Sequence, residues 1–209
     1  MNSSEKELFR WADQLPDALW DDVRRRPPKE AAEAVGAVRE GDIFNIDLIG
    51  ETFAVDPAAQ QIANLSRPDD RVDYQAGVVL LTPLAHSMGV PPSGRMAVPQ
   101  ELPGGRMFFT GAHTVANGPI AKAFQNNAAD FVDHAQSLGG KRIEGADVAL
   151  QMPGLPQVPL YLLLWEGDSE VDARAVIGID DRAHFHLDLS GVFALTNLLV
   201  GRLCKARQK

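Results

Sequence analysis

Histidines and clustered carboxylates are the residues of this chain whose spacing could do chemistry. His184 and His186 are one residue apart, and on an extended segment two such imidazoles project to the same side, where they could share a metal ion. Asp180, Asp181 and Asp188 lie close by in sequence and would complete a mixed nitrogen and oxygen ligand set, the equipment of a metal-dependent enzyme. The competing reading is a polar loop leading into the last helix, with Asp188 as its capping acceptor. Trp165-Glu166-Gly167-Asp168 follows the apolar run Val158 to Trp165 at once. Glu166 and Asp168 could serve as acid and base beside a strand end, or simply make a turn.

His86 stands in Leu84-Ala85-His86-Ser87-Met88-Gly89, which contains the His-x-x-Gly part of the lower-ligand motif of corrinoid-binding proteins. That motif also needs an Asp two residues before the histidine to orient the ring; Leu84 stands there, so a core or helix-end histidine competes. Candidate ligand-binding residues are therefore His184, His186, His86, Trp165, Glu166 and Asp168. There is no glycine-rich phosphate loop, Gly-x-Ser-x-Gly elbow or His-Glu-x-x-His pair. A single cysteine, Cys204, excludes an intramolecular disulfide, a cysteine-rich zinc site and an iron-sulfur cluster held by the chain's own cysteines. It also suits the reducing cytoplasm. A net charge of −8 repels phosphate backbones and anionic lipid, so neither nucleic acid nor membrane is expected as a partner. The one basic run, Arg24-Arg25-Arg26, suits a helix end. Asn64-Leu65-Ser66 reads as a chance glycosylation triplet.

The elements that must position these residues follow from periodicity. The 209 residues, 45% hydrophobic and 23% charged, are enough for one α+β domain, with a helical segment over 1–40 and a core over 42–203. Leu8, Trp11, Leu15, Leu19 and Val23 recur at helical spacing, with Ser4 and Glu7 as a capping box, and predict a helix over 4–26, kinked at Pro16. The charged start, without an apolar segment, does not read as a secretory signal. A short helix over 29–34 ends at Gly36. Further helices are expected over 72–88, kinked at Pro83, then 119–138 and 189–204, the last with a basic end of Arg202, Lys205, Arg207 and Lys209. Alternation predicts a hairpin over 42–55, and the stretches 146–151, 158–165 and 173–179, joined by turn segments at 152–156 and 166–169, read as a three-strand antiparallel meander. Pro99, Pro103 and Gly104-Gly105 predict short edge strands without a helix over 95–109. The sum is a mostly antiparallel sheet of about five to seven strands packed with about four helices.

Gly145-Ala146-Asp147-Val148-Ala149-Leu150, Leu155-Pro156-Gln157-Val158-Pro159-Leu160 and Leu163-Leu164-Trp165-Glu166-Gly167-Asp168 resemble segments of a bacterial and archaeal family, the domain of unknown function DUF3786. The Leu102-Pro103-Gly104-Gly105 turn and the last helix also fit it, so that the likeness runs from about Asp42 to Leu203. The resemblance implies a setting in anaerobes. Some relatives carry a cysteine-rich iron-sulfur segment of a kind also seen in corrinoid proteins, and this chain departs from that pattern, having Cys204 alone. Three functions remain open on these readings. The first is a cytoplasmic accessory or small-ligand-binding protein of anaerobic metabolism. The second is the metal-dependent enzyme above. The third is an oligomer that docks a protein partner through Trp11 and Trp20 on the first helix.

Overall fold

Two-residue alternation puts Phe44, Ile46, Leu48, Phe53 and Val55 on one buried face. In the computed structural model, which describes residues 9–205 (the Lys205 side chain excepted), these residues belong to a four-stranded antiparallel meander. Its strands are β1 (Val38–Glu40), β2 (Ile43–Leu48), β3 (Glu51–Asp56) and β4 (Gln61–Asn64), in spatial order. The β2–β3 turn is made by Ile49 and Gly50, at φ 48° and 75°, the left-handed pair that matches strand twist. A Cβ on Gly50 would lie 2.6 Å from the Leu138 carbonyl oxygen. Gly50→Ala is therefore expected to lower stability by about 2 kcal/mol, through conformational strain and a backbone clash, as a shift in the urea midpoint.

The second sheet has the order β5-β9-β8-β7-β6, antiparallel throughout. It is built from β5 (Met96–Ala97), β6 (Lys141–Arg142), β7 (Val148–Leu155), β8 (Val158–Trp165) and β9 (Arg174–Asp180). The expected meander is its centre. Mixed α and β structure with antiparallel pairing is thus observed, the strands being divided between two sheets. These meet where the Ile49 amide donates to the Gly154 carbonyl at 2.9 Å.

Among the described residues seven α-helices surround the sheets: α1 (Asp17–Arg25), α2 (Pro28–Val35), α3 (Tyr74–His86), α4 (Gly105–Phe108), α5 (Asn117–Phe124), α6 (Ala128–Ser137) and α7 (Leu189–Lys205). The helix expected over 4–26 starts only at Asp17. Pro16 is its N-cap in extended geometry, and a 3-10 turn, Ala12–Gln14, precedes it. The Ser4/Glu7 capping box, Arg207 and Lys209 lie outside the described residues. The helix expected over 119–138 is two helices, because Asn127 leaves the helical region (φ −152°) and caps α6 by accepting the Asp130 amide. The stretch 95–109 contains the short α4 as well as one edge strand, β5. Pro83 lies inside α3. The carbonyls at the end of α3 are covered by Arg26, which donates to Pro83, Leu84 and Ser87, at 2.7 Å for the last. One continuous apolar cluster links both sheets with α1, α2, α3, α5, α6 and α7.

A candidate binding groove

The structure separates the residues that the sequence grouped as a metal set. His184 and His186 are not on an extended segment: Ala183–Phe185 is a 3-10 turn, in which each residue rotates by about 120°, so the two rings face different surroundings. His184 is exposed, its Nδ1 lying 3.0 Å from the Asp181 carbonyl. His186 is buried between Ser87 and Val90. Asp180, fully buried, accepts the amides of Ser93, Gly94 and Arg182 at 3.1, 2.8 and 3.0 Å. Asp181 binds the Ser93 hydroxyl and Arg95, and the hydroxyl bond chiefly holds its carboxyl below the usual range. Asp188 caps α7 by accepting the Gly191 amide at 2.7 Å. Among the described residues no group of three or more His, Cys, Asp or Glu side chains is placed to hold a metal ion.

His186 instead carries a pH dependence. Its Nε2 donates to the Val90 carbonyl (2.8 Å), and its Nδ1 and the Ala34 carbonyl (2.7 and 3.0 Å) compete for the single proton of the Ser87 hydroxyl. Burial pulls its pKa below the ordinary 6.5 and His184 adds to this, while the Val90 carbonyl and Asp180 oppose it. The unfolded chain then takes up the proton at higher pH than the folded one. Stability is complete above about pH 6.5 and declines as pH falls through the depressed folded value. The urea midpoint should therefore drop between pH 7 and pH 5.5, and His186→Gln should remove that part of the slope. An unaltered slope in the variant would assign the dependence to other groups.

The remaining candidates also serve the backbone. Asp168 accepts the amides of Glu170 and Val171 (2.7 and 2.8 Å), which lowers its pKa, and so closes the turn after β8. Glu166 accepts the Ala128 amide at 3.3 Å, and Arg174 lies over the Trp165 ring. His86 is exposed and 3.7 Å from Asp22. Trp20 is in the core, 2% exposed, and offers a partner no surface. Asn64, 5% exposed, donates to Glu51 and accepts the amides of Ser66 and Arg67, so its side chain is committed to the fold.

A groove of about 1000 Å³ gathers polar and aromatic side chains that sequence spacing did not group together. Five separate stretches line it: 9–11, Glu51 and Phe53 of β3, 64–76 from β4 to the first turn of α3, Leu138 at the end of α6, and 197–202 of α7. On one side Glu51 and Arg202, each 14% exposed, pair at 3.1 Å. Arg202 also donates to the carbonyls of Leu48 and Ile49 (2.7 and 2.8 Å), and Arg67 reaches the same Glu51 carboxylate at 2.7 Å. Burial pulls the Arg202 pKa below its ordinary value, Glu51 opposing. Elsewhere on the lining the Trp11 ring has the guanidinium carbons of Arg10 and Arg71 at 4.8 and 4.5 Å from its centroid. Phe9, 66% exposed, packs edge-on against Tyr74 at 5.2 Å. Two sequence signals point here: the charged loop Arg67-Pro68-Asp69-Asp70-Arg71 before α3, and Arg202 beside the apolar stripe of α7.

No helix among the described residues is long and apolar enough to cross a membrane. No curated protein and no solved structure matches the chain. A family model does, over residues 27–202, which span both sheets entirely, helices α2 to α6, and α7 as far as Arg202. Since that match covers the greater part of the sequence, the chain belongs to the family described as domain of unknown function DUF3786.

Proposed function

We propose that the protein is a cytoplasmic accessory protein of anaerobic metabolism that holds a small organic molecule in the groove between β3, the start of α3 and the end of α7. The observation that carries this reading is the groove itself, of about 1000 Å³ and lined by Trp11, Tyr74 and Phe9 together with arginines. Its volume lies within the range of small-molecule sites, roughly 300–1,000 Å³, and its mixture of flat apolar surface with a few convergent polar groups is the lining such sites use. Binding is preferred to catalysis because the carboxylates and histidines that the sequence singled out for chemistry lie outside the groove lining, and several of them are engaged by the backbone. Asp168, Asp180 and Asp188 hold backbone amides, and His186 is enclosed by Ser87 and Val90.

Native mass spectrometry of protein purified without added ligand, set against its denatured mass, tests the reading. A non-covalent mass at one equivalent that disappears in a Trp11→Leu, Arg71→Gln variant supports it. A bare chain whose melting temperature is unmoved by a panel of organic acids, organic bases and neutral aromatics overturns it, as does turnover of the bound molecule.

A further inference from the structure

We infer that the groove takes a planar aromatic or heteroaromatic anion, its carboxylate or phosphate held by the arginines and its ring lying on the aromatic lining; this rests on the groove being the ligand site. Charge is the first ground. Acidic residues outnumber basic ones 28 to 20 in the whole chain, yet the lining reverses the balance, with four arginines (10, 67, 71 and 202) against Glu51, Asp70 and Asp73. Those carboxylates are already engaged. Asp73 accepts the Ala76 amide as N-cap of α3, Glu51 is divided between Arg67 and Arg202, and Asp70 meets Arg67 at 3.1 Å. Arg71 has Asp13 at 2.7 Å, and Arg10 makes no ion pair among the described residues.

The second ground is the placement of the cations. The Trp11 indole holds the Arg10 and Arg71 side chains at one part of the lining, which limits the rotamer freedom two exposed arginines would otherwise lose on binding. Guanidinium forks match carboxylate and phosphate oxygens in pairs. Arg67 and Arg71 are 53% and 58% exposed at their side chains, so an entering oxyanion can exchange with Asp70 or Asp13 without unpacking the core. The third ground is the aromatic surface of Phe9 and Tyr74, available to a ring.

Isothermal titration of the full chain with four probes tests this: AMP (ring and phosphate), indole-3-acetate (ring and carboxylate), adenosine (ring alone) and inorganic phosphate (oxyanion alone). At least one ring-bearing anion should bind tenfold or more tightly than adenosine and phosphate, and AMP against indole-3-acetate separates the two headgroups. An Arg10→Gln, Arg71→Gln variant should weaken that binding about tenfold or more with its melting temperature kept, and affinity should fall as salt rises. Adenosine binding as tightly as AMP, or affinity unmoved in the arginine variant, overturns the anion and leaves the small-molecule reading standing. Binding of neither ring-bearing anion overturns the inference too; the native mass adduct then decides separately whether the groove holds any molecule.

Discussion

Replacing Asp180 by alanine is expected to lower the free energy of unfolding by about 4 kcal/mol, among the largest effects a single polar residue can give. The carboxylate is fully buried and accepts three backbone amides, from Ser93, Gly94 and Arg182. Removing it strands three donors, and each buried donor without a partner costs on the order of 1–3 kcal/mol, less whatever water reaches it. Asp180→Asn should cost about half as much. An amide keeps one oxygen for Ser93 and Arg182 but turns an N–H toward the Gly94 amide, donor against donor. The damage should also be local in a readable way. Met96 pairs with Asp180 and the Asp181 amide donates to the Arg95 carbonyl, so the loop organised by Asp180 sets β5 against β9. Amide exchange at Met96 and Ala97 should accelerate in both variants, ahead of the rest of the sheet. If Asp180→Ala unfolds at the wild-type urea concentration, the carboxylate does not carry this loop.

Asp180 also shows where sequence reading reaches and where it stops. Its proximity to His184 and His186 was visible, and five candidate ligands within nine positions (Asp180, Asp181, His184, His186 and Asp188) is what a metal site would present. The direction of each side chain depended on the backbone between them. An extended segment aims residues two apart to the same side, whereas the 3-10 turn Ala183–Phe185 does not, and no local pattern announces such a short turn. The meander of β7, β8 and β9 was legible because short, nearly continuous apolar runs are separated by a Pro-Gly connection at 152–156 and a carboxylate-rich turn at 166–168, which leaves little choice of pairing. The break between α5 and α6 had a signal that apolar spacing outweighed: Asn127 followed three residues later by Asp130 has the form of a helix start. Pro16 likewise marked a helix boundary and not a kink. The groove could not be assembled from the sequence, since its lining comes from five stretches between positions 9 and 202 and the charged loop 67–71 names no partner for itself. Arg202 in particular read as a cation at a helix end. In the fold it turns toward the β2–β3 hairpin and caps Leu48 and Ile49, a contact between residues more than 150 positions apart.

That contact gives the second large effect. Glu51→Ala is expected to lower stability by about 3 kcal/mol, because it leaves a guanidinium nearly out of water without its counter-charge. Arg202 is 14% exposed and would keep only the two hairpin carbonyls; Asn64 and Arg67 lose the same acceptor, though Arg67, more than half exposed, regains water. Glu51→Gln should recover only part of the loss: its amide oxygen can take the Oε2 place and still accept from Asn64, Arg67 and Arg202, but it brings no counter-charge, and its nitrogen faces Arg67 at the Oε1 place. A double-mutant cycle with Arg202→Met distinguishes a coupled pair from two independent packing roles. Methionine fills much of the arginine's apolar volume, so with Glu51 already alanine the second change removes a stranded charge as well as two carbonyl bonds. The loss in the double variant should therefore fall short of the sum of the single losses by about 1.5–3 kcal/mol. Strict additivity in urea denaturation would mean that Glu51 and Arg202 act separately, and that this side of the groove is held by apolar packing around Phe53 and Leu198 instead.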